Sequence, residues 1–217
     1  KNRTPYFEDY AKQYTDFPFT VRLKQKGDTY IADRFLHAKD LALETTNSEW
    51  KPLMYNALTE DFAVPQGTMG SRWDKEGKWN LKLIDERNGE KIEPVLGFLG
   101  IEDTIKTVEI AYFDANTRST MKRSIPVKQV AINGKIEYVT TVYDLMLANY
   151  GIDRGIGGEV ASSYDEIEAF TPAWQEKITG VDRNLVTKIA REFAQNAIDT
   201  NGRSMIIVGA GINHWFH

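Results

Sequence analysis

Gly209-Ala210-Gly211, Asn213 and His214 stand close together near the end of the sequence and carry its most suggestive chemistry. Glycine lets a backbone turn sharply and approach a ligand closely. A carboxamide and an imidazole both donate and accept hydrogen bonds, and imidazole titrates near neutrality. The preceding run, Met205-Ile206-Ile207-Val208, is continuously apolar, which predicts a strand buried on both faces. Ligands in open α/β sheets sit beyond the carboxyl ends of such strands. The run would therefore deliver a glycine bend, an amide and an imidazole to one place.

The other constellations are weaker. Gly209 to His214 begins like a dinucleotide fingerprint, but His214 holds the third glycine position and no acidic ribose partner follows. His214 and His217 are spaced for one face of a helix, yet no nearby carboxylate completes a metal set. Ser71 to Trp79 interleaves aromatic and basic residues as single-strand binders do. Asp74 and Glu76 cancel much of that charge, so a loop anchored by two tryptophans is the simpler reading. Gly155, Gly157 and Gly158 suit an anion nest or, more plainly, a flexible turn. No G-x-S-x-G or G-x-x-x-x-G-K-[ST] signature occurs. His37 lies in a polar stretch and reads as a surface residue.

Composition narrows the classes. The 217 residues are 41% hydrophobic and 27% charged, as in a globular protein with ample length for a core. A net charge of −4 disfavours a nucleic-acid partner. With no cysteine, this stretch holds no disulfide, thiolate zinc site or cysteine-ligated cluster. No apolar run approaches the ~18 residues of a membrane span. The first residue is Lys1 and the last motif looks unfinished, so the chain reads as an internal piece of a longer polypeptide.

Positioning elements follow from periodicity. Thr4-Pro5 opens a helix with a stripe of Tyr6, Phe7, Tyr10, Ala11 and Tyr14, closed before Pro18. Phe19 to Gln25 and Thr29 to Ala32 predict a hairpin around Lys26-Gly27-Asp28. Strands are expected over Lys51 to Ala57, Lys78 to Asp85, Ile92 to Phe98 and Val108 to Phe113. A short helix is expected over Ala38 to Leu43. Val127 to Ile132, Asn133-Gly134 and Ile136 to Thr141 predict a type I′ hairpin. Thr141 caps a helix from Val142 to Tyr150, with Asp144 as a short variant of the capping box and Gly151 as the stop. Asp153 to Ser163 reads as a loop, and Pro172 to Ile178 as a short helix ended by Gly180. Asp182 caps the last helix, striped with Leu185, Val186, Ile189, Phe193, Ala197 and Ile198. Burial of each large member is worth roughly 1.5–3 kcal/mol, so this face should pack on something. The expected fold is mixed α/β. It has an N-terminal helix (1–17), a strand-rich antiparallel insertion (18–141) and a helical segment (142–217) whose helix and strand belong to a doubly wound sheet.

Several blocks resemble one family. Val139 to Gly151 (VTTVYDLMLANYG), Tyr164 to Val181 and Gly202 to His217 are similar to the alpha subunit of membrane-bound respiratory nitrate reductase, in the dimethyl-sulfoxide-reductase superfamily. Tyr6 to Tyr10, Tyr14 to Asp16 and Gly77 to Asn80 resemble it too. The likeness covers nearly the whole chain and is weakest from about Glu86 to Ser124. It implies a molybdenum enzyme with a bis(molybdopterin guanine dinucleotide) cofactor that reduces nitrate to nitrite. It also implies a [4Fe-4S] cluster in the intact subunit, an iron–sulfur beta subunit and a quinol-oxidising gamma subunit at the cytoplasmic face of the membrane. In the family the metal-ligating aspartate and the cluster ligands lie upstream of the matched segment. Carried over, Gly209, Ala210, Gly211, Asn213 and His214 line the cofactor pocket, with His214 acting from behind the metal ligands. The piece itself is then soluble, inactive and without bound metal or cofactor. Rival readings are a related chlorate or selenate reductase, a nitrite oxidoreductase, or a stand-alone binding module.

Overall fold

Proline at position 5, with its fixed φ, begins α1 (Pro5–Tyr14) in a computed structural model that describes residues 5–67, 81–113, 116–207 and 209. Thr4 lies outside the described residues. Of the predicted stripe, Ala11 is fully buried, while Phe7, Tyr10 and Tyr14 stay largely exposed. The first hairpin forms as expected, with β1 (Thr20–Lys26) and β2 (Thr29–Phe35) antiparallel around Gly27, whose φ is 59°.

The next stretch is more broken than its sequence pattern suggests. The predicted helix over Ala38 to Leu43 is a single 3₁₀ turn, Ala38–Leu41, and Ser48–Trp50 forms another. Short strands follow: β3 (Met54–Asn56), β4 (Asp61–Ala63), β5 (Pro65–Gln66) and β6 (Lys82–Asp85). They pair locally, β3 with β4 and β5 with β6. The strand expected over Ile92 to Phe98 is not formed. Pro94 supplies no N–H, and the segment makes only isolated bridges at Lys91 and Pro94. Its apolar residues still reach the core, since Ile92, Leu96 and Phe98 are buried.

The main sheet is completed by β7 (Ile105–Ala111), β8 (Thr120–Pro126), β9 (Lys128–Ile132) and β10 (Lys135–Thr141). Its strand order is β8-β7-β2-β1-β10-β9, with β2 and β7 the parallel pair. Asn133 and Gly134 both take positive φ, 51° and 76°, as the type I′ turn between β9 and β10 requires. Only Val127 separates β8 from β9, yet these two strands form opposite edges of the sheet. One continuous segment thus pairs first with β7 and then with β10, and the sheet curls toward closure. Pro126 falls at the junction, and the buried Thr140 hydroxyl donates to its carbonyl at 2.9 Å.

One core cluster joins Leu36, Leu53, Tyr55, Phe62, Val64, Phe98, Ile132 and Val139. Another holds Leu23, Val108, Ile125, Val127 and Ala148. Ala148 comes from α2 (Val142–Asn149), which packs on β8 and β10. Gly151 follows with φ 64° as its stop. The segment from 152 to 171 carries no helix or strand. Then come α3 (Pro172–Thr179), capped by Thr171 and ended by Gly180 at φ 72°, and α4 (Arg183–Asp199), capped by Asp182. The mixed α/β class is as expected.

Two expectations at the C-terminal end are corrected. No residue of α4 is buried, and Leu185, Ile189, Phe193 and Ile198 are all exposed. Met205, Ile206 and Ile207 belong to no strand and are 78%, 74% and 80% exposed. A strand needs hydrogen-bonded neighbours to satisfy its backbone, and no described strand lies alongside this run.

Candidate functional site

The approach to Gly209 is built by the last turn of α4. Gly202 turns with φ 86° and its N–H donates to the Ala197 carbonyl at 2.7 Å. Asn196 Nδ2 donates to the Arg203 carbonyl (3.2 Å) and to Ser204 Oγ (2.8 Å). Ser204 Oγ donates to the Phe193 carbonyl at 3.1 Å. The chain is thus pinned to α4 as far as Ser204 and leaves it through three exposed apolar residues. Gly209 is exposed, and a Cβ built on it would meet nothing within 4 Å. Ala210, Gly211, Asn213, His214 and His217 lie outside the described residues, as does the Ser71 to Trp79 loop.

Two ionic constellations not singled out from sequence are built within the fold. The first surrounds the N-terminus of α2. Thr141 caps it, its Oγ1 accepting the Asp144 N–H at 3.0 Å. The Asp144 side chain does not reach back to the cap backbone. Instead Oδ2 accepts the Phe98 N–H at 2.8 Å and the Thr141 hydroxyl at 3.0 Å, while Oδ1 takes Arg154 Nη1. Asp144 is fully buried and the Arg154 side chain nearly so. On β8, Met121, Arg123 and Ile125 all point inward and are fully buried.

The second lies on β2 and the 3₁₀ turn after it. Arg34 grips Asp40 with two bonds, Nη2 to Oδ1 at 2.6 Å and Nη1 to Oδ2 at 2.8 Å. Arg22 adds Nη1 to the same Oδ1 at 3.2 Å and pairs with Glu137 at 2.6 Å. His37 is half-buried rather than a plain surface residue. Its N–H donates to Asp40 Oδ2 at 2.9 Å, and its Nδ1 lies 3.0 Å from Arg34 Nη1. Guanidinium only donates, so Nδ1 accepts and the ring proton sits on Nε2. Burial and the Arg34 charge hold the His37 pKa below its usual value, against the pull of Asp40. Burial works to raise the Asp40 pKa, but the Arg34 hydrogen bonds, the His37 N–H and the charges of Arg34 and Arg22 carry it below normal. Arg34, His37, Lys39, Asp40, Glu49 and Asn133 line a cleft of about 370 Å³. Among the described residues Arg34 and Arg22 pair with Asp40, so the cleft is braced by ion pairs. Among the described residues, no three His, Cys, Asp or Glu side chains converge as a metal-ligand set.

The described residues define the class as a mixed α/β fold, a six-stranded sheet with helices, whose apolar C-terminal run is pinned to α4. No family model matches the chain. Whole-length relatives give the family. The chain is 59% identical over 214 residues to the nitrate reductase alpha chain of Bacillus subtilis, covering 99% of this chain and 17% of that one. It is 46% identical over 230 residues to the respiratory nitrate reductase 1 alpha chain of Escherichia coli, and 48% over 226 residues to the alpha chain from a Bradyrhizobium species. Both matches cover 100% of this chain, and respectively 18% and 22% of the relative. The chain belongs to the nitrate reductase alpha-chain family and spans about a fifth of the length of these relatives.

Proposed function

We propose that the chain is an internal segment of the catalytic alpha chain of a respiratory nitrate reductase. The intact enzyme reduces nitrate to nitrite at a molybdenum bis(molybdopterin guanine dinucleotide) centre. Electrons reach it through a [4Fe-4S] cluster in the alpha chain, an iron–sulfur beta subunit and a quinol-oxidising gamma subunit, at the cytoplasmic face of the membrane. The observation that carries this reading is 59% identity extending over 99% of the chain.

Within that enzyme, Gly209, Ala210 and Gly211 would let the backbone approach the pterin, and Asn213 and His214 would offer hydrogen bonds to it. The cofactor, when bound, supplies the redox chemistry, and its metal ligand comes from outside the described residues. The described fold serves as scaffold, with α4 pinning the start of the run that leads to Gly209. No described helix is long and apolar enough to cross a membrane.

Assaying the intact enzyme with nitrate, chlorate and selenate at equal concentrations tests the reading. The highest kcat/KM is expected for nitrate. A preference for another oxyanion transfers the chain to a sister activity, and no oxyanion reduction by a molybdenum-loaded enzyme rejects it.

A further inference from the structure

Arg123 is the largest fully buried side chain in the described protein. It sits on β8 in phase with Met121 and Ile125, where the alternation calls for an apolar residue. Its Nη2 lies 3.3 Å from Met121 Sδ, a weak acceptor, and its Nε and Nη1 meet no acceptor among the described residues. The loop from Gly151 to Gly158 closes over it. A Cβ on Gly151 would come within 3.0 Å of Arg123 Nη2, and Gly158 forms an antiparallel bridge with Arg123. Gly158, at φ 94°, packs so closely that a Cβ there would lie 2.7 Å from the Ser124 nitrogen.

The same loop contributes Arg154, whose Nη2 is also buried without an acceptor. Arg154 and Arg123 against Asp144 make two buried positive charges and one negative. Burial pulls the Arg123 pKa down and the charges of Glu168 and Glu159 pull it up, but guanidinium stays protonated in proteins. Neither acid bonds to it: Arg118 holds Glu168 at 2.5 Å and Glu159 at 3.4 Å. The nearby C-terminal end of α2 offers only about half a negative charge. Arg118, Glu168 and Glu159 bring one positive and two negative charges to the same surroundings, so what Arg123 lacks is a bonded acceptor, and leaving buried donors unmet is destabilising.

The geometry points to a small monovalent inorganic anion, of chloride or nitrate size, seated against the Arg123 guanidinium beneath the Gly151 to Gly158 loop. A small anion supplies an acceptor to the Arg123 N–H groups that Glu168 and Glu159, both held by Arg118, do not reach.

Bromide is the probe. Crystals of the full-length alpha chain soaked in sodium bromide and measured at the bromine edge are expected to show an anomalous peak in contact with the Arg123 N–H groups. The wild-type chain is expected to melt several degrees higher in sodium chloride, bromide or nitrate than in sodium gluconate of equal ionic strength. Arg123→Met should lose both the peak and the difference. If that variant does not fold, the wild-type peak and melting comparison decide alone. Overturning results are a map without bromide at Arg123, the Glu168 carboxylate in its place, or identical melting in all the salts.

Discussion

Gly97 stands where any side chain would strike the Asp144 carboxylate: a Cβ built there lies 2.8 Å from Oδ1 and 3.0 Å from Oδ2. The carboxylate cannot move aside, because the Phe98 N–H, the Thr141 hydroxyl and Arg154 hold it. Gly97→Ala is therefore expected to cost about 1–3 kcal/mol, the usual range for overpacking a filled interior. Urea unfolding measures it, and an unchanged midpoint would show that the Asp144 network tolerates displacement.

Removing Arg154 leaves Asp144 buried and unpaired. Arg154→Met is expected to destabilise by roughly 3–5 kcal/mol, the cost of breaking one side of a buried pair. Asp144→Leu combined with Arg154→Met should cost clearly less than the two single changes summed, since neither charge is then stranded. A double-mutant cycle by chemical unfolding reads this directly. Additive losses would mean that the two side chains act independently.

Phe170 takes φ 71°, a region that bulky residues occupy only when their surroundings hold them there. Its ring makes edge contacts with Tyr150 at 5.6 Å and Trp174 at 5.4 Å between centroids. Each such contact is worth about 0.5–1.5 kcal/mol. Phe170→Ala loses both contacts and keeps the strain, so a loss of about 2 kcal/mol is expected. Phe170→Gly loses the contacts but accepts the backbone angle, and should recover roughly half of that. The expected order of stability, Phe then Gly then Ala, is checked by thermal unfolding. Ala at or above Gly would refute the strain.

These side chains mark where sequence reading succeeds and where it stops. The hairpins at Gly27 and Asn133-Gly134, and the caps at Thr141 and Asp182, are legible because each rests on a few adjacent residues. Ile92 to Phe98 was misread as a strand because its apolar pattern reports burial, and Pro94 removes the ladder that burial alone does not supply. Thr120 to Pro126 was missed because Lys122, Arg123 and Ser124 hide a period-two pattern. Met121, Arg123 and Ile125 in phase was the available signal for a buried arginine. The Asp144 pairing with Arg154 depends on a loop returning to a helix start, which local spacing does not encode. Met205 to Ile207 has a buried strand's composition but no neighbouring strand here, so its state depends on contacts beyond the pattern itself.

His37 and Asp40 each contribute to the acid side of the stability curve. The folded state favours neutral His37, so below about 6.5, its ordinary pKa, the unfolded chain binds a proton that the folded chain refuses. Stability is then lost as pH falls through that value toward the lower folded pKa. Asp40 is held ionised, and its contribution is lost further down, as pH falls from its ordinary 3.8 toward the depressed folded value. His37→Gln should flatten the first decline and leave the second. His214 and His217 are common to both proteins, so the difference between unfolding midpoints over about pH 7.5 to 5 belongs to His37. Parallel curves would remove it.

His214 is the proposed site residue whose role a single substitution tests. An imidazole beside a metal-bound cofactor acts by holding its neighbours in place, and loss of such a partner commonly costs about 10–100-fold in activity. In the intact enzyme, His214→Ala is expected to lower kcat for nitrate within that range while molybdenum content, measured by elemental analysis, and the circular dichroism spectrum stay unchanged. His214→Gln keeps a hydrogen-bond donor and acceptor at a similar reach and should recover part of the loss. Loss of molybdenum in His214→Ala would instead make the residue part of cofactor retention. Wild-type turnover in both variants would take His214 out of the site, and with it the reason for the glycine bend to face the cofactor.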